Sequence, residues 1–214
     1  RLTNRYLLTV KTADEIFNFI NSHISDSSYS ARLFEVALHS LLQTVQENKL
    51  LDGFLLPLCQ MRTANKKHRN IADIEIAVNE INNRVIEAWD AKYGKPYLRD
   101  ELEELNDKLM AYGPVQMVGY VTNAKPEITP DIQNRLNEIK EIHDVEIQIL
   151  SFRDWFEFWR KRIDKINDIE FTKQWLMTYV ESLCQKRRTL APIDEPSDEW
   201  VQDLISNLNQ LSRQ

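Results

Sequence analysis

The run Val85–Tyr93 constrains the fold of this chain more than any other segment. It is an apolar, β-favouring sequence that carries an acid at Asp90 and a lysine at Lys92. Alternate residues of a strand point to the same face, so these two charges stand side by side in a segment suited to the interior of a sheet. Burying two charges is costly unless they are paired or bound to something. The pair therefore indicates a candidate metal-and-phosphate site.

Composition is that of an ordinary globular protein. The chain has 214 residues, of which 43% are hydrophobic and 28% are charged. No apolar run approaches the roughly 18 residues of a membrane span, so no bilayer is implied. The net charge is −6. Stand-alone nucleic-acid binders are more often basic, so any DNA contact must come from local positive patches or from another domain.

The N-terminus and the cysteines suggest where the chain comes from. The sequence begins at Arg1 rather than at Met, and its first residues do not form a signal-peptide pattern, so we expect a piece of a longer protein. Cys59 and Cys184 have neither metal-type nor redox-type spacing. We expect both to be small buried side chains in a reducing compartment, which points to the cytoplasm.

Hydrophobic periodicity predicts helices at both ends of the chain and strands in its centre. Strands are expected over residues 54–61, 71–78, 85–93, 115–121 and 145–150. The main helices are expected over residues 11–24, 31–47, 99–111, 130–143 and 171–186. Short polar links join the first three strands, which indicates an antiparallel meander. Helices separate the later strands, as in parallel βαβ units.

The fold class that follows is mixed α/β, with a central mixed sheet flanked by helices. We expect an N-terminal helical segment over residues 1–28, a core over 29–152, and a C-terminal helical extension over 153–214 packed on that core. Four tryptophans of the extension have helical spacing and are expected to pack in its interior rather than to stack on bases; they are Trp155, Trp159, Trp175 and Trp200.

Asp73 extends the candidate site to the preceding strand. If strands 71–78 and 85–93 pair through the turn between them, Asp73 approaches Asp90. Two carboxylates a few ångströms apart repel unless a cation lies between them, and hard carboxylate oxygens suit Mg²⁺ or Mn²⁺. A bound divalent ion lowers the pKa of a water and polarises a phosphoryl oxygen. Lys92 would then orient that water or stabilise charge developing on the phosphate.

This arrangement resembles the PD-(D/E)XK nuclease superfamily, which has the restriction-endonuclease-like fold. The likeness covers about residues 29–152. It is carried by Asp73 in Ile-Ala-Asp-Ile-Glu-Ile and by Asp90 and Lys92 in Glu-Ala-Trp-Asp-Ala-Lys. Many members add an acid from the helix before the meander, where this chain has Glu35. By this resemblance, residues 29–152 would form a nuclease-like core.

The resemblance implies a Mg²⁺-dependent DNA endonuclease of restriction or defence type, in which Mn²⁺ can replace Mg²⁺. Asp73, Asp90 and Glu35 would bind the metal, and Lys92 would position the attacking water. Many members act as homodimers, so a second copy or further domains of a longer chain are expected partners beside DNA. The chain differs from the commonest pattern at Ala72, where Pro or Gly often precedes the first acid, and at Asp90, where Glu is more usual.

A basic turn between the first two strands of the meander is a candidate contact to the DNA backbone. It contains Lys66, Lys67 and Arg69. A solvated hairpin tip explains the same residues equally well. The same fold with weakened chemistry, serving as a DNA-binding or assembly module, is the alternative function, and a purely helical interaction protein is a third.

The candidate site residues also have structural explanations. Asp90 and Lys92 could be an edge-strand pair that faces solvent, and Asp73 could be a strand-end or hairpin residue. Glu35 stands three residues after Arg32 and four residues before His39, a helical spacing at which it could pair with either side chain. Convergence of Glu35, Asp73, Asp90 and Lys92 in the folded chain would distinguish the two sets of explanations.

Overall fold

A computed structural model describes residues 2–58, 70–163, 166–184 and 197–211. Contacts divide the chain into two compact units. The first unit joins Arg1–Leu50 with Arg160–Gln214, and the second unit is Leu51–Trp159. The division into segments 1–28, 29–152 and 153–214 stays a prediction. Within the described residues, no helix has the length and apolar character needed to cross a membrane.

The second unit is built on a mixed sheet. In the described part of the chain its five strands are β1 (Phe54–Leu55), β2 (Ile74–Ala77), β3 (Val85–Lys92), β4 (Met117–Thr122) and β5 (Glu146–Ser151), in the order β1-β2-β3-β4-β5. β1, β2 and β3 pair antiparallel, whereas β3, β4 and β5 run parallel. The parallel strands are joined through helices α4 (Arg99–Tyr112) and α5 (Pro130–His143). The predicted mixed α/β class is confirmed.

One face of this sheet is covered by α4 and α5. Leu102, Leu105 and Leu109 recur at intervals of three and four residues, so they form one stripe along α4, and all three are buried. They share a cluster with Ala88 of β3 and Tyr120 of β4. Asp90 lies two residues after Ala88, so it belongs to this helix-covered face of β3.

The opposite face packs on aromatic side chains. Trp89 is fully buried, and its ring lies 6.0 Å from that of Trp155 and 5.5 Å from that of Phe158, centroid to centroid, in edge-on geometry. Both partners belong to α6 (Phe152–Arg162). Trp89 is level with Gly119 of β4, where an added Cβ would lie 2.0 Å from the indole ring. Glycine at this position therefore makes room for the tryptophan.

The first unit is helical in its described residues. It contains α1 (Leu2–Thr9), α2 (Ala13–Asp26), α3 (Ser30–Glu47), α7 (Asp168–Leu183) and α8 (Ser197–Leu211). Trp175 and Trp200 are buried here, and Trp155 and Trp159 are buried on α6, so core packing of all four is confirmed. The indole of Trp175 donates to the carbonyl of Ala37 at 3.1 Å.

Several sequence expectations differ from the structure. The first strand was expected over residues 54–61, but among the described residues 54–58 β1 covers only Phe54–Leu55. Helix α1 is not among the helices expected from periodicity, because its eight residues make only about two turns, too few for a repeating stripe. Cys184 was expected to be buried but is exposed, because α7 ends there. Asp73 was placed inside the second strand, yet β2 begins one residue later at Ile74. Cys59 lies outside the described residues.

Candidate functional site

Asp73 and Asp90 lie side by side where the β2–β3 ladder ends. Ile74 faces Trp89 in the last backbone pair, so Asp73 and Asp90 stand at the next position. The backbone N–H of Asp73 donates to Oδ1 of Asp90 at 3.3 Å, and the backbone N–H of Ala91 donates to Oδ2 of Asp73 at 2.9 Å. Each carboxylate thus accepts a main-chain hydrogen bond from the other side of the ladder. These bonds hold the two acids together.

Lys92 adds a cation to this pair. Its Nζ lies 2.8 Å from Oδ2 of Asp90 and 2.7 Å from Oε2 of Glu101, in the first turn of α4. The other oxygen of Glu101, Oε1, lies 2.9 Å from Nζ of Lys95. The side chains of Asp90, Lys92 and Glu101 are only 11–16% exposed. The structure therefore brings three predicted site residues together, in a row of charges that alternate from Asp90 to Lys95.

The protonation states of the row follow from these contacts. Burial opposes ionisation of Asp90, but the hydrogen bond with Asp73 and the Lys92 ammonium outweigh it and hold the pKa of Asp90 below its ordinary value. Burial likewise opposes the charged form of Lys92, yet Asp90 and Glu101 raise the pKa of Lys92. Burial opposes ionisation of Glu101 as well, and hydrogen bonds from Lys92 and Lys95 lower its pKa. At neutral pH, Asp90 and Glu101 are carboxylates and Lys92 is an ammonium.

Tyr120 fixes the position of Glu101 relative to the sheet. It lies on β4, level with Asp90, and its hydroxyl donates to the backbone carbonyl of Glu101 at 2.8 Å. The ring centroid is 6.0 Å from Nζ of Lys92. Burial raises the pKa of Tyr120 well above its ordinary value, so the phenol is neutral and donates. The first turn of α4 is therefore attached directly to the strand beside the candidate site.

Two neighbouring glutamates have structural tasks. Glu75 follows Asp73 on the same strand face, and its Oε1 accepts from the backbone N–H of Ile71 at 2.7 Å. Burial raises the pKa of Glu75. Glu87 lies on the other face, where its Oε1 accepts from the indole N–H of Trp89 at 2.7 Å. Both acids hold parts of the second unit in place.

Glu35 lies on α3 in the first unit, whereas Asp73, Asp90 and Lys92 belong to the second. Its Oε2 is 2.5 Å from Nη1 of Arg32, one helical turn earlier. This is the i, i+3 pairing that the sequence left open as the alternative for Glu35. Lys66, Lys67 and Arg69, the candidate DNA contacts, lie outside the described residues.

No family model matches this chain, and no curated protein matches it either. The resemblance to PD-(D/E)XK nucleases accordingly stays a prediction from the chain's own residues and their order.

The Asp73–Asp90 pair suits a hard divalent ion by its chemistry. In the ranges that the structure describes, no group of three or more His, Cys, Asp and Glu side chains is arranged to hold a metal. Mg²⁺, however, is commonly held by one or two carboxylates, while waters and substrate phosphates complete its octahedron. Two adjacent carboxyl groups also repel unless a proton or a cation lies between them. Asp73 and Asp90 therefore fit a Mg²⁺ site of the kind that the substrate completes.

Glu101 and Tyr120 are the site neighbours that sequence reasoning missed. Glu101 looks like an ordinary first-turn acid that complements the helix dipole. Nothing in its spacing from Lys92 predicts contact, because a loop of irregular backbone separates β3 from α4. Tyr120 sits in an apolar strand run that predicts only core packing. Its alignment with Asp90 depends on the parallel register of β3 and β4.

Proposed function

We propose that this protein is a Mg²⁺-dependent DNA endonuclease of the PD-(D/E)XK type, which hydrolyses phosphodiester bonds and acts in the cytoplasm. The observation that supports the proposal best is the adjacency of Asp73 and Asp90, with the ammonium of Lys92 on the same carboxylate. The order of elements is consistent with it. An acid precedes β2, the Asp-x-Lys pair lies in β3, and helix α4 and strand β4 follow.

In this proposal Asp73 and Asp90 hold Mg²⁺, or Mn²⁺ in its place. When bound, such an ion supplies a water of lowered pKa and polarises a phosphoryl oxygen. Lys92 cannot act as a base, because its raised pKa keeps it protonated. It donates hydrogen bonds instead, and so orients the attacking water or stabilises the negative charge that develops on the phosphate.

DNA is the proposed substrate, and Lys66, Lys67 and Arg69 are the proposed contacts to its backbone. A homodimer, or further domains of a longer chain, would supply the rest of the binding surface. The second candidate is a catalytically weak or inactive DNA-binding or assembly module with the same fold. The net charge of −6 favours an assembly role within a larger multidomain protein, because a chain that binds DNA alone needs positive surface.

Cleavage of supercoiled plasmid in Mg²⁺ tests the proposal. We expect the wild-type chain to nick or linearise the plasmid, and EDTA to stop it. Asp90→Asn removes a carboxylate and Lys92→Met removes the ammonium, so each should lower the cleavage rate by about 100-fold or more, the usual effect of losing one charge-stabilising group. Lys140→Met is the matched control, because Lys140 pairs with Glu146 at the surface and should leave the rate unchanged.

Two results would count against the proposal. If Asp90→Asn cuts as fast as the wild-type chain, the site is assigned to the wrong residues. If the wild-type chain binds DNA but cuts none with either Mg²⁺ or Mn²⁺, the protein is the binding module.

A further inference from the structure

The ammonium of Lys92 has two carboxylate partners, and only one of them belongs to the proposed metal site. Oδ2 of Asp90 lies 2.8 Å from Nζ, and Oε2 of Glu101 lies 2.7 Å from the same atom. A divalent cation on Asp90 repels the ammonium and competes with it for the carboxylate. Lys92 would then leave Asp90 unless something else held it beside the site.

We infer that Glu101 is a positioning residue, which keeps the Lys92 ammonium beside the site while Asp90 is engaged by a cation. The inference rests on the proposed function, in which Lys92 acts next to a bound ion. Glu101 also holds Lys95, which is 61% exposed and available to a polyanion that approaches the loop after β3. Glu101 thus connects the buried lysine of the site to an exposed one.

The geometry of Glu101 suits a fixed anchor. Each carboxylate oxygen has its own lysine, Oε2 for Lys92 and Oε1 for Lys95, so both partners can be held at once. The backbone carbonyl of Glu101 accepts from Tyr120, which ties this turn to β4. A carboxylate is also favoured in the first turn of a helix by the helix dipole. The side chain is 15% exposed, so solvent screens its ion pairs only in part.

Other acids of α4 differ in this respect. Glu103, two residues later, is 48% exposed and pairs with Arg99 and Arg135. Both arginines lie outside the proposed metal site, so the Glu103 pairs hold no residue of that site. Glu103→Gln is therefore a matched control for Glu101→Gln, with the same change on the same helix.

The experiment compares Glu101→Gln, Glu101→Asp and Glu103→Gln with the wild-type chain in two measurements. The first is the pKa of Lys92 in the metal-free protein, from NMR of its side-chain carbon and nitrogen. The second is plasmid cleavage with kcat and KM determined separately. We expect Glu101→Gln to lower the pKa of Lys92 and to lower kcat by about 10- to 100-fold, as for partners that orient a site residue, with KM little changed. Glu101→Asp keeps the charge and should recover part of both, and Glu103→Gln should alter neither.

The two measurements separate this inference from the proposed function. If the wild-type chain cuts and Glu101→Gln changes neither the pKa of Lys92 nor kcat, Glu101 does not position the lysine and the proposed function survives. If the wild-type chain itself does not cut with Mg²⁺ or Mn²⁺, the proposed function fails and the inference, which rests on it, fails with it. Equal losses in Glu101→Gln and Glu103→Gln would overturn the inference. Should Glu101→Gln not fold, Glu101→Asp against Glu103→Gln decides in the same way.

Discussion

Asp90 is the residue at which fold and chemistry meet. The residue as a whole is only 8% exposed, so burial alone would favour its neutral form, yet its contacts with Asp73 and Lys92 keep it ionised. The Lys92 pair by itself would be an unremarkable buried ion pair, which well-packed apolar residues could replace at little cost. An ordinary ion pair does not explain why a second acid, Asp73, lies beside Asp90. Perturbed, converging carboxyl groups of this kind occur most often at functional sites.

His23 gives the first unit a defined response to acid. Its Nε2 lies 2.9 Å from the carbonyl of Trp200, which can only accept, so Nε2 carries the proton. Its Nδ1, 2.8 Å from the hydroxyl of Tyr179, accepts from that hydroxyl in the neutral ring. Burial lowers the pKa of His23, although the Trp200 carbonyl and nearby acids partly oppose the shift.

We therefore expect stability to fall as the pH falls through about 6.5, because His23 then binds a proton in the unfolded chain but not in the folded chain. The loss continues down to the lowered pKa of the folded state, at no more than about 1.4 kcal/mol per pH unit for one group. Urea unfolding between pH 7.5 and 5 should have a shallower pH dependence in His23→Gln than in the wild-type chain. Parallel curves for the two proteins would contradict this account.

The β3–β4 pair is the element that places the site. β3 supplies Asp90 and Lys92 on one face and Trp89 on the other, and the parallel register sets Tyr120 beside Asp90 and Gly119 beside Trp89. The packing of Trp89 on one face therefore helps to fix the direction of the charged side chains on the other. A change of register by one residue would exchange the two faces.

Gly119→Ala tests this packing. The added Cβ would lie 2.0 Å from the ring of Trp89, so the ring or the strand must move, and overpacking of this kind costs about 1–3 kcal/mol. Trp89→Phe replaces the indole with a smaller ring and so relieves the contact. The double variant should therefore lose less stability than the two single variants lose together. Urea unfolding of the four proteins measures the coupling. Additivity within about 0.5 kcal/mol would mean that the two residues do not interact as described.

Periodicity in the sequence was enough to predict the antiparallel pairing of β2 with β3, the βαβ units and the approach of Asp73 to Asp90, because each depends on the local pattern of elements that follow one another in the chain. It could not predict that Asp73 lies just before β2, since that end is set by hydrogen bonds between side chains and backbone. The contact of Glu101 with Lys92 could not be predicted for a different reason. It spans a strand end, a loop and a helix start, and no repeat in the sequence encodes that distance.

At the scale of the whole molecule, the charge balance and the candidate site point in different directions. A net charge of −6 gives the chain no general attraction for DNA, whereas Asp73 and the row from Asp90 to Lys95 form the proposed metal and phosphate site. A partner subunit or a further domain that supplies positive surface would reconcile the two. A binding module without chemistry would need no metal, so metal binding separates the two candidate functions.

Titration of Mn²⁺ into the wild-type chain, with free Mn²⁺ measured by electron paramagnetic resonance, tests the central claim most directly. We predict saturable binding of about one ion per chain, held by the carboxylate pair. Asp90→Asn should lose it, and Lys92→Met should keep it, because the ammonium competes with the ion rather than binding it. The account is contradicted if the wild-type chain shows no saturable Mn²⁺ binding, or if Asp90→Asn binds Mn²⁺ as well as the wild-type chain does.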